Sequence, residues 1–160
     1  MSTRLATTDD IPALVRLINA AYRVEDFFIN GDRTSERDIR SRLESPHAAF
    51  LVIDGPIAGE PAGTVYVETR GTRGYFGMLS VDPARQKQGL GRALVDAVEA
   101  HCRAAGCRSL DIEVVDLRLE LPPYYAALGF RPSGTAPFPD PTKLTRAAHL
   151  LLMTKPLTKG

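Results

Sequence analysis

Apolar residues recur at three- and four-residue intervals from Ile11 through Leu14, Val15 and Ile18 to Tyr22, which predicts an amphipathic helix. Thr8 is placed to cap it, Asp9 and Asp10 fall where the helix dipole favours acids, and Pro12 costs little in a first turn. A second helix is expected from Ser35, with Ile39 and Leu43 on a narrow apolar face and Ser45-Pro46 as its stop. The period then shortens. Ala48 to Ile53 is an apolar run closed by Asp54-Gly55-Pro56 and reads as a strand, as does Gly63 to Glu68. After the turn-rich Arg70 to Gly74, Tyr75 to Val81 returns as the second arm of a hairpin. Both of its alternating sets are largely apolar, the pattern of a strand buried on both faces. Arg4-Leu5-Ala6 is a short candidate first strand.

Further on, Leu90, Leu94, Ala97, Val98 and His101 share one face of a long helix, with Gly106 placed as the residue that ends it. In Ser109 to Val115, Leu110, Ile112 and Val114 alternate with Asp111 and Glu113, as in a strand. Strand, helix, strand makes a βαβ unit, so Tyr75–Val81 and Ser109–Val115 are expected to run parallel with a right-handed crossover. Pro122 to Phe130 reads as a short helix begun by prolines and ended by Gly129. Pro132 to Pro141 reads as a Pro-rich loop, and Leu150 to Met153 as a last strand. The pieces make one α/β domain with a mixed sheet, spanning residues 1–160.

Composition narrows the partners. The 160 residues are 44% hydrophobic and 24% charged with a net charge of +1, an ordinary globular balance that gives no reason to expect nucleic acid or a membrane surface. No apolar run approaches the roughly 20 residues that span a bilayer. The N-terminus lacks the apolar core of a signal peptide, so a cytoplasmic protein is expected. Cys102 and Cys107 form no CxxC pair and read as packing residues of a reducing compartment. His47, His101 and His149 read as solvated or structural.

Chemistry concentrates between Leu79 and Leu94. Gly89 and Gly91 remove the Cβ atoms that would keep a ligand from the main chain. The first-turn N–H groups of the following helix lack internal acceptors and carry the positive end of its dipole. Arg85, Lys87 and Arg92 add positive charge. Such a strand-to-helix junction suits a phosphate-bearing cofactor. Neither a Gly-x-x-x-x-Gly-Lys-Ser/Thr loop nor the six-residue dinucleotide glycine pattern is present. The mixed aromatic and charged segment Arg23–Thr34 reads either as a substrate wall or as a surface connection pinned by Phe27 and Phe28. Arg33 within it faces either an anionic substrate group or a surface ion pair.

Val81-x-Pro83-x-x-Gln86-x-x-Gly89-x-Gly91-x-x-Leu94, followed by helix, strand and Tyr125-x-x-x-Gly129-Phe130, resembles the GNAT superfamily of acetyl-CoA-dependent N-acyltransferases. The resemblance runs from about Thr3 to Leu157. It implies a mixed, mostly antiparallel sheet of six to seven strands with a parallel central βαβ unit and splayed strands, flanked by about four helices. It also implies acetyl-CoA as cosubstrate, with no metal. The main-chain N–H groups of Gln86, Lys87, Gln88, Gly89, Leu90, Gly91 and Arg92 would take the pyrophosphate, and the strand edge at Leu79, Ser80 and Val81 the pantetheine arm. Tyr125 would touch the coenzyme and protonate the departing thiolate. A phenol with an ordinary pKa of about 10 keeps its proton near neutral pH and can still give it to sulfur.

Two positions depart from the family pattern: Arg118 stands where an Asn is usual, and Tyr75 where some relatives carry a glutamate base. Glu68 and Glu113 are the candidate bases, with Asp116 just beyond the second. The function implied is acetyl transfer to a primary amine of a small molecule or peptide, and a homodimer would be common among relatives. The alternative is a catalytically silent domain that senses acyl-CoA.

Overall fold

The computed structural model describes residues 2–157. Seven strands form one sheet: β1 (Arg4–Leu5), β2 (Ala48–Asp54), β3 (Pro61–Arg70), β4 (Arg73–Val81), β5 (Ser109–Val115), β6 (Arg131–Pro137) and β7 (His149–Pro156). Their order across the sheet is β1-β2-β3-β4-β5-β7-β6. Among the described residues only β4 and β5 run parallel, and every other neighbouring pair is antiparallel. Among the described residues the α-helices are α1 (Ile11–Ala21), α2 (Glu36–Leu43), α3 (Leu90–Ala104) and α4 (Leu121–Ala127).

The two faces of the sheet are covered separately. Leu94, Val98 and Cys102 of α3 pack on Val65, Val67, Phe76, Leu110 and Ile112. On the other face, Ile11, Leu14 and Ile18 of α1, with Ile39 of α2, cover Phe50, Val52, Tyr66 and Met78. Burying an aliphatic side chain of this size stabilises by about 1.5–3 kcal/mol, so these stripes hold the helices to the sheet. Cys102 and Cys107 are both buried free thiols, and burial pushes the Cys102 thiol up to about 12, as suits packing residues.

Some sequence expectations shift. Thr8 does not cap the first helix: Thr8–Asp10 is a 3₁₀ turn that puts Asp10 at the N-cap of α1, and the Asp10 carboxylate accepts the Thr7 backbone N–H at 2.7 Å. The second begins as expected, with the Ser35 hydroxyl accepting the Asp38 N–H at 3.1 Å. The first part of the Pro-rich segment is not a loop but β6, at the edge of the sheet against β7. Proline is tolerated there because an edge strand need not offer every N–H to a neighbour.

Nor is β4 evenly buried on both faces. Thr64 of β3 faces Ser80 and Tyr66 faces Gly77, so Val65 stands opposite both Met78 and Leu79. That is a β-bulge, and Met78 within it takes left-handed backbone, at φ 53. The extra residue switches the faces: Phe76 packs in the α3 layer, whereas Met78 packs in the α1 layer.

Candidate active site

β4 and β5 pair only from Arg73↔Ser109 to Tyr75↔Asp111. Beyond Tyr75 they part, while β5 continues on β7 as far as Val115↔Leu150. The bulge lies where β4 leaves β5, so its twist turns the strand away and leaves that edge of β4 without a partner strand. A cavity of about 380 Å³ fills the opening, lined by Tyr75 to Leu79 on one side and Ile112 to Val115 on the other. Its outer walls come from Tyr22 to Arg33 and from Phe138 to Lys143, and Tyr125 stands on its α4 side. The two outer segments are stitched together by the backbone, Asn30 N–H to Lys143 O at 2.9 Å and Thr145 N–H to Phe28 O at 2.8 Å.

At the other end of β4 the chain turns into α3. Asp82 accepts the Ala84 N–H at 3.0 Å and so shapes the first bend. Lys87 and Gly89 both take left-handed backbone, at φ 66 and φ 80. Among the described residues the N–H groups of Gln86 to Gly89 find no acceptor, and the first bond of α3 is Ala93 N–H to Gly89 O at 3.0 Å. Amides from Gln86 to Arg92 are therefore available to an anion. A Cβ at Gly89 would meet nothing within 4 Å, and one at Gly91 would come within 2.9 Å of the Tyr124 hydroxyl. The residues present thus fit a diphosphate at this turn, with Leu79, Ser80 and Val81 beginning the open edge beside it.

Tyr125 is 7% exposed and sits edge-on to Phe76, Phe130 and Tyr124, at ring distances of 6.0, 5.8 and 5.1 Å. The Phe130 N–H closes the end of α4 on the Tyr125 carbonyl at 3.0 Å, and Gly129 supplies the left-handed turn, at φ 100. Burial raises the phenol's pKa above its ordinary value.

The candidate bases separate. Glu113 lines the cavity beside Tyr75, whose phenol is raised first by burial and then by the Glu113 carboxylate. Glu68 does not line it: its carboxylate accepts from Tyr66 Oη at 2.7 Å and Arg70 Nε at 2.8 Å. Arg70 holds it below the usual carboxylate range. Asp116 is likewise occupied, accepting the backbone N–H of His149 at 3.0 Å.

Sequence reading missed one pair. Glu25, 7% exposed, accepts from Arg118 Nη1 at 2.8 Å, and Arg118 Nε reaches Glu120 at the same distance. Burial raises the Glu25 carboxyl, with Arg118 opposing it. No local signal marks two residues 93 positions apart. The departure at Arg118 is thus filled by a side chain already committed to two carboxylates.

Solved structures share this architecture. The chain resembles smu.2055 from Streptococcus mutans at a TM-score of 0.80 and 20% identity, over 99% of this chain and 100% of that one. It resembles a ribosomal-protein-alanine N-acetyltransferase from Brucella melitensis at 0.77 and 21%, over 98% and 99%. An aminoglycoside 6'-N-acetyltransferase complexed with coenzyme A matches at 0.77 and 16%, over 100% and 99%. Identities this low speak for the fold alone. The family itself is fixed by the model for the acetyltransferase (GNAT) family, which matches residues 12–130. That is most of the described chain, including the open strand edge, the glycine turn and Tyr125, and the protein belongs to the GNAT acetyltransferases.

Proposed function

We propose that the protein moves the acetyl group of acetyl-CoA to a primary amine by direct attack in a ternary complex. The observation that carries this is the parting of β4 from β5 beyond Tyr75. It leaves an edge of main-chain donors and acceptors that matches the amides of a pantetheine arm. That edge begins at free N–H groups suited to a diphosphate and leads to the cavity holding Tyr125. The amine lone pair attacks the thioester carbonyl carbon, a C–N bond forms and the C–S bond breaks. The amine's proton leaves to Glu113, directly or through water, and Tyr125 gives its proton to the departing sulfur. Acetyl-CoA is a substrate in this scheme.

A second reading, a silent acyl-CoA sensor, draws on Arg118 being tied to Glu25 and Glu120 where relatives use a contact to the coenzyme. Thiol release from acetyl-CoA in the presence of amines separates the two. Turnover is expected with at least one amine, and Tyr125→Phe should cut kcat at least about tenfold while coenzyme A still binds. Undiminished turnover in that variant removes Tyr125 as the acid; coenzyme binding with no turnover on any amine favours the sensor.

A further inference from the structure

Most charged side chains around the cavity are already satisfied within the protein. Glu25 holds Arg118 at 2.8 Å. Asp32 and Asp26 both face Arg23, at 2.6 and 3.9 Å. Arg42 pairs with Asp38 at 3.0 Å. Asp140 caps the turn that follows it, accepting the Thr142 N–H at 3.2 Å. Among the described residues, the cavity-lining charges with no ion-pair or capping partner are Arg33, Glu113 and Lys143.

Lys143 is exposed at the rim, but Arg33 is half-buried, its guanidinium carbon 5.2 Å from the centre of the Tyr22 ring. Its place on the chain is fixed from both sides. Gly31 makes a left-handed turn at φ 90, and the Asn19 amide clamps Thr34, accepting its N–H at 3.0 Å and donating to its carbonyl at 3.1 Å. The Arg33 guanidinium acts on the Tyr22 phenol and on the Glu25 carboxyl, which Arg118 holds, but among the described residues no carboxylate lies at ion-pair distance from it. Its planar fork suits a carboxylate or phosphonate. Glu113, Tyr75 and Arg33 all line this cavity, and the Tyr75 phenol is raised by Glu113 and lowered by Arg33, so the unpaired anion and the half-buried cation face a common space.

Resting on the acetyl-transfer reading, we infer that the acceptor is a small zwitterionic amine, its amino group towards Glu113 and its carboxylate or phosphonate on Arg33. A polycationic acceptor needs unspent carboxylates, and those on the outer wall are engaged: Asp26 and Asp32 with Arg23, Glu25 with Arg118, and Asp140 with the turn it caps. A cavity of about 380 Å³ is near the lower end of small-ligand sites, about 300–1,000 Å³, and suits a compact acceptor.

The test compares amino acids and aminophosphonates with their matched amides or decarboxylated amines, using wild type, Arg33→Ala and Arg33→Lys. For the preferred acceptor, kcat/KM should exceed that of the neutral partner at least tenfold. Arg33→Ala should raise KM for the acid at least tenfold and leave KM for the neutral amine within about twofold, and Arg33→Lys should recover part of the loss. Equal use of acid and amide, an equal loss on both in Arg33→Ala, or turnover confined to polyamines or peptides overturns the inference and leaves acetyl transfer standing. If coenzyme A binds but no amine turns over, the acetyl-transfer reading fails. Calorimetry of the same zwitterions on the coenzyme complex then decides the Arg33 site, and no Arg33-dependent binding overturns it.

Discussion

Among its three aromatic neighbours the Tyr125 phenol is withheld from water, so its proton stays on oxygen past the ordinary value of about 10. Loss of that proton should therefore impose no fall in kcat between pH 7 and about 10. Glu113 and Glu68 differ in their partners. A carboxylate held low by Arg70 is a weak base, whereas Glu113 has no ion-pair partner among the described residues. Glu113→Gln should lower kcat at least about tenfold, and Glu68→Gln should stay within about twofold. Steady-state kinetics across pH checks both, and the reverse ranking removes Glu113. The short helix that carries Tyr125 was legible because the residues that end it, Gly129 and Phe130, follow it directly in sequence. Choosing between two glutamates was not, since alternation puts both on strands and only the fold shows which strand borders the opening.

Among the elements, β4 does most to build the site, because it is paired with β5 at one end and parted from it at the other. The paired end is clamped by Arg73 and Asp111, joined through two hydrogen bonds at 2.8 and 2.7 Å, with Thr154 adding a third to Asp111 at 2.8 Å. Burial would raise the Asp111 carboxyl, but Arg73 and Thr154 outweigh it and hold it low. A depressed folded-state pKa adds stability above the unfolded value of about 3.9, and that stability is lost as pH falls through the folded value. The pair is partly exposed, so Asp111→Asn should cost only about 0.2–1 kcal/mol at pH 7. Thermal melts should show the gap to wild type closing below about pH 4; a constant gap at all pH values contradicts the clamp. The helices and the hairpin were readable from their periods, but two features of the sheet were not. β6 carries Pro132 and Pro137 and is almost wholly exposed, so it shows no apolar alternation. The bulge rests on Met78 at φ 53, a backbone that methionine does not advertise and that costs about 1–3 kcal/mol. That strain lies where the cavity begins.

At the scale of the whole molecule, two helical layers cover the sheet on both faces, and among the described residues the sheet opens where β4 parts from β5, at the cavity. Net charge of +1 gave no hint of the acceptor, because the acceptor we infer turns on local charges: acids paired with Arg23 and Arg118, and an Arg33 with no ion-pair partner among the described residues. The Glu25–Arg118 pair was invisible for the same reason, since only the folded chain brings the outer wall to the end of β5. The central claim is that free amides after Arg85 seat a diphosphate and the neighbouring edge of β4 carries the arm. Its most direct measurement is an amide-resolved NMR titration with coenzyme A. The largest shifts are predicted at Gln86 to Arg92, with a second group at Leu79 to Val81. Saturating coenzyme A that leaves those amides unmoved, or shifts a different surface, contradicts it.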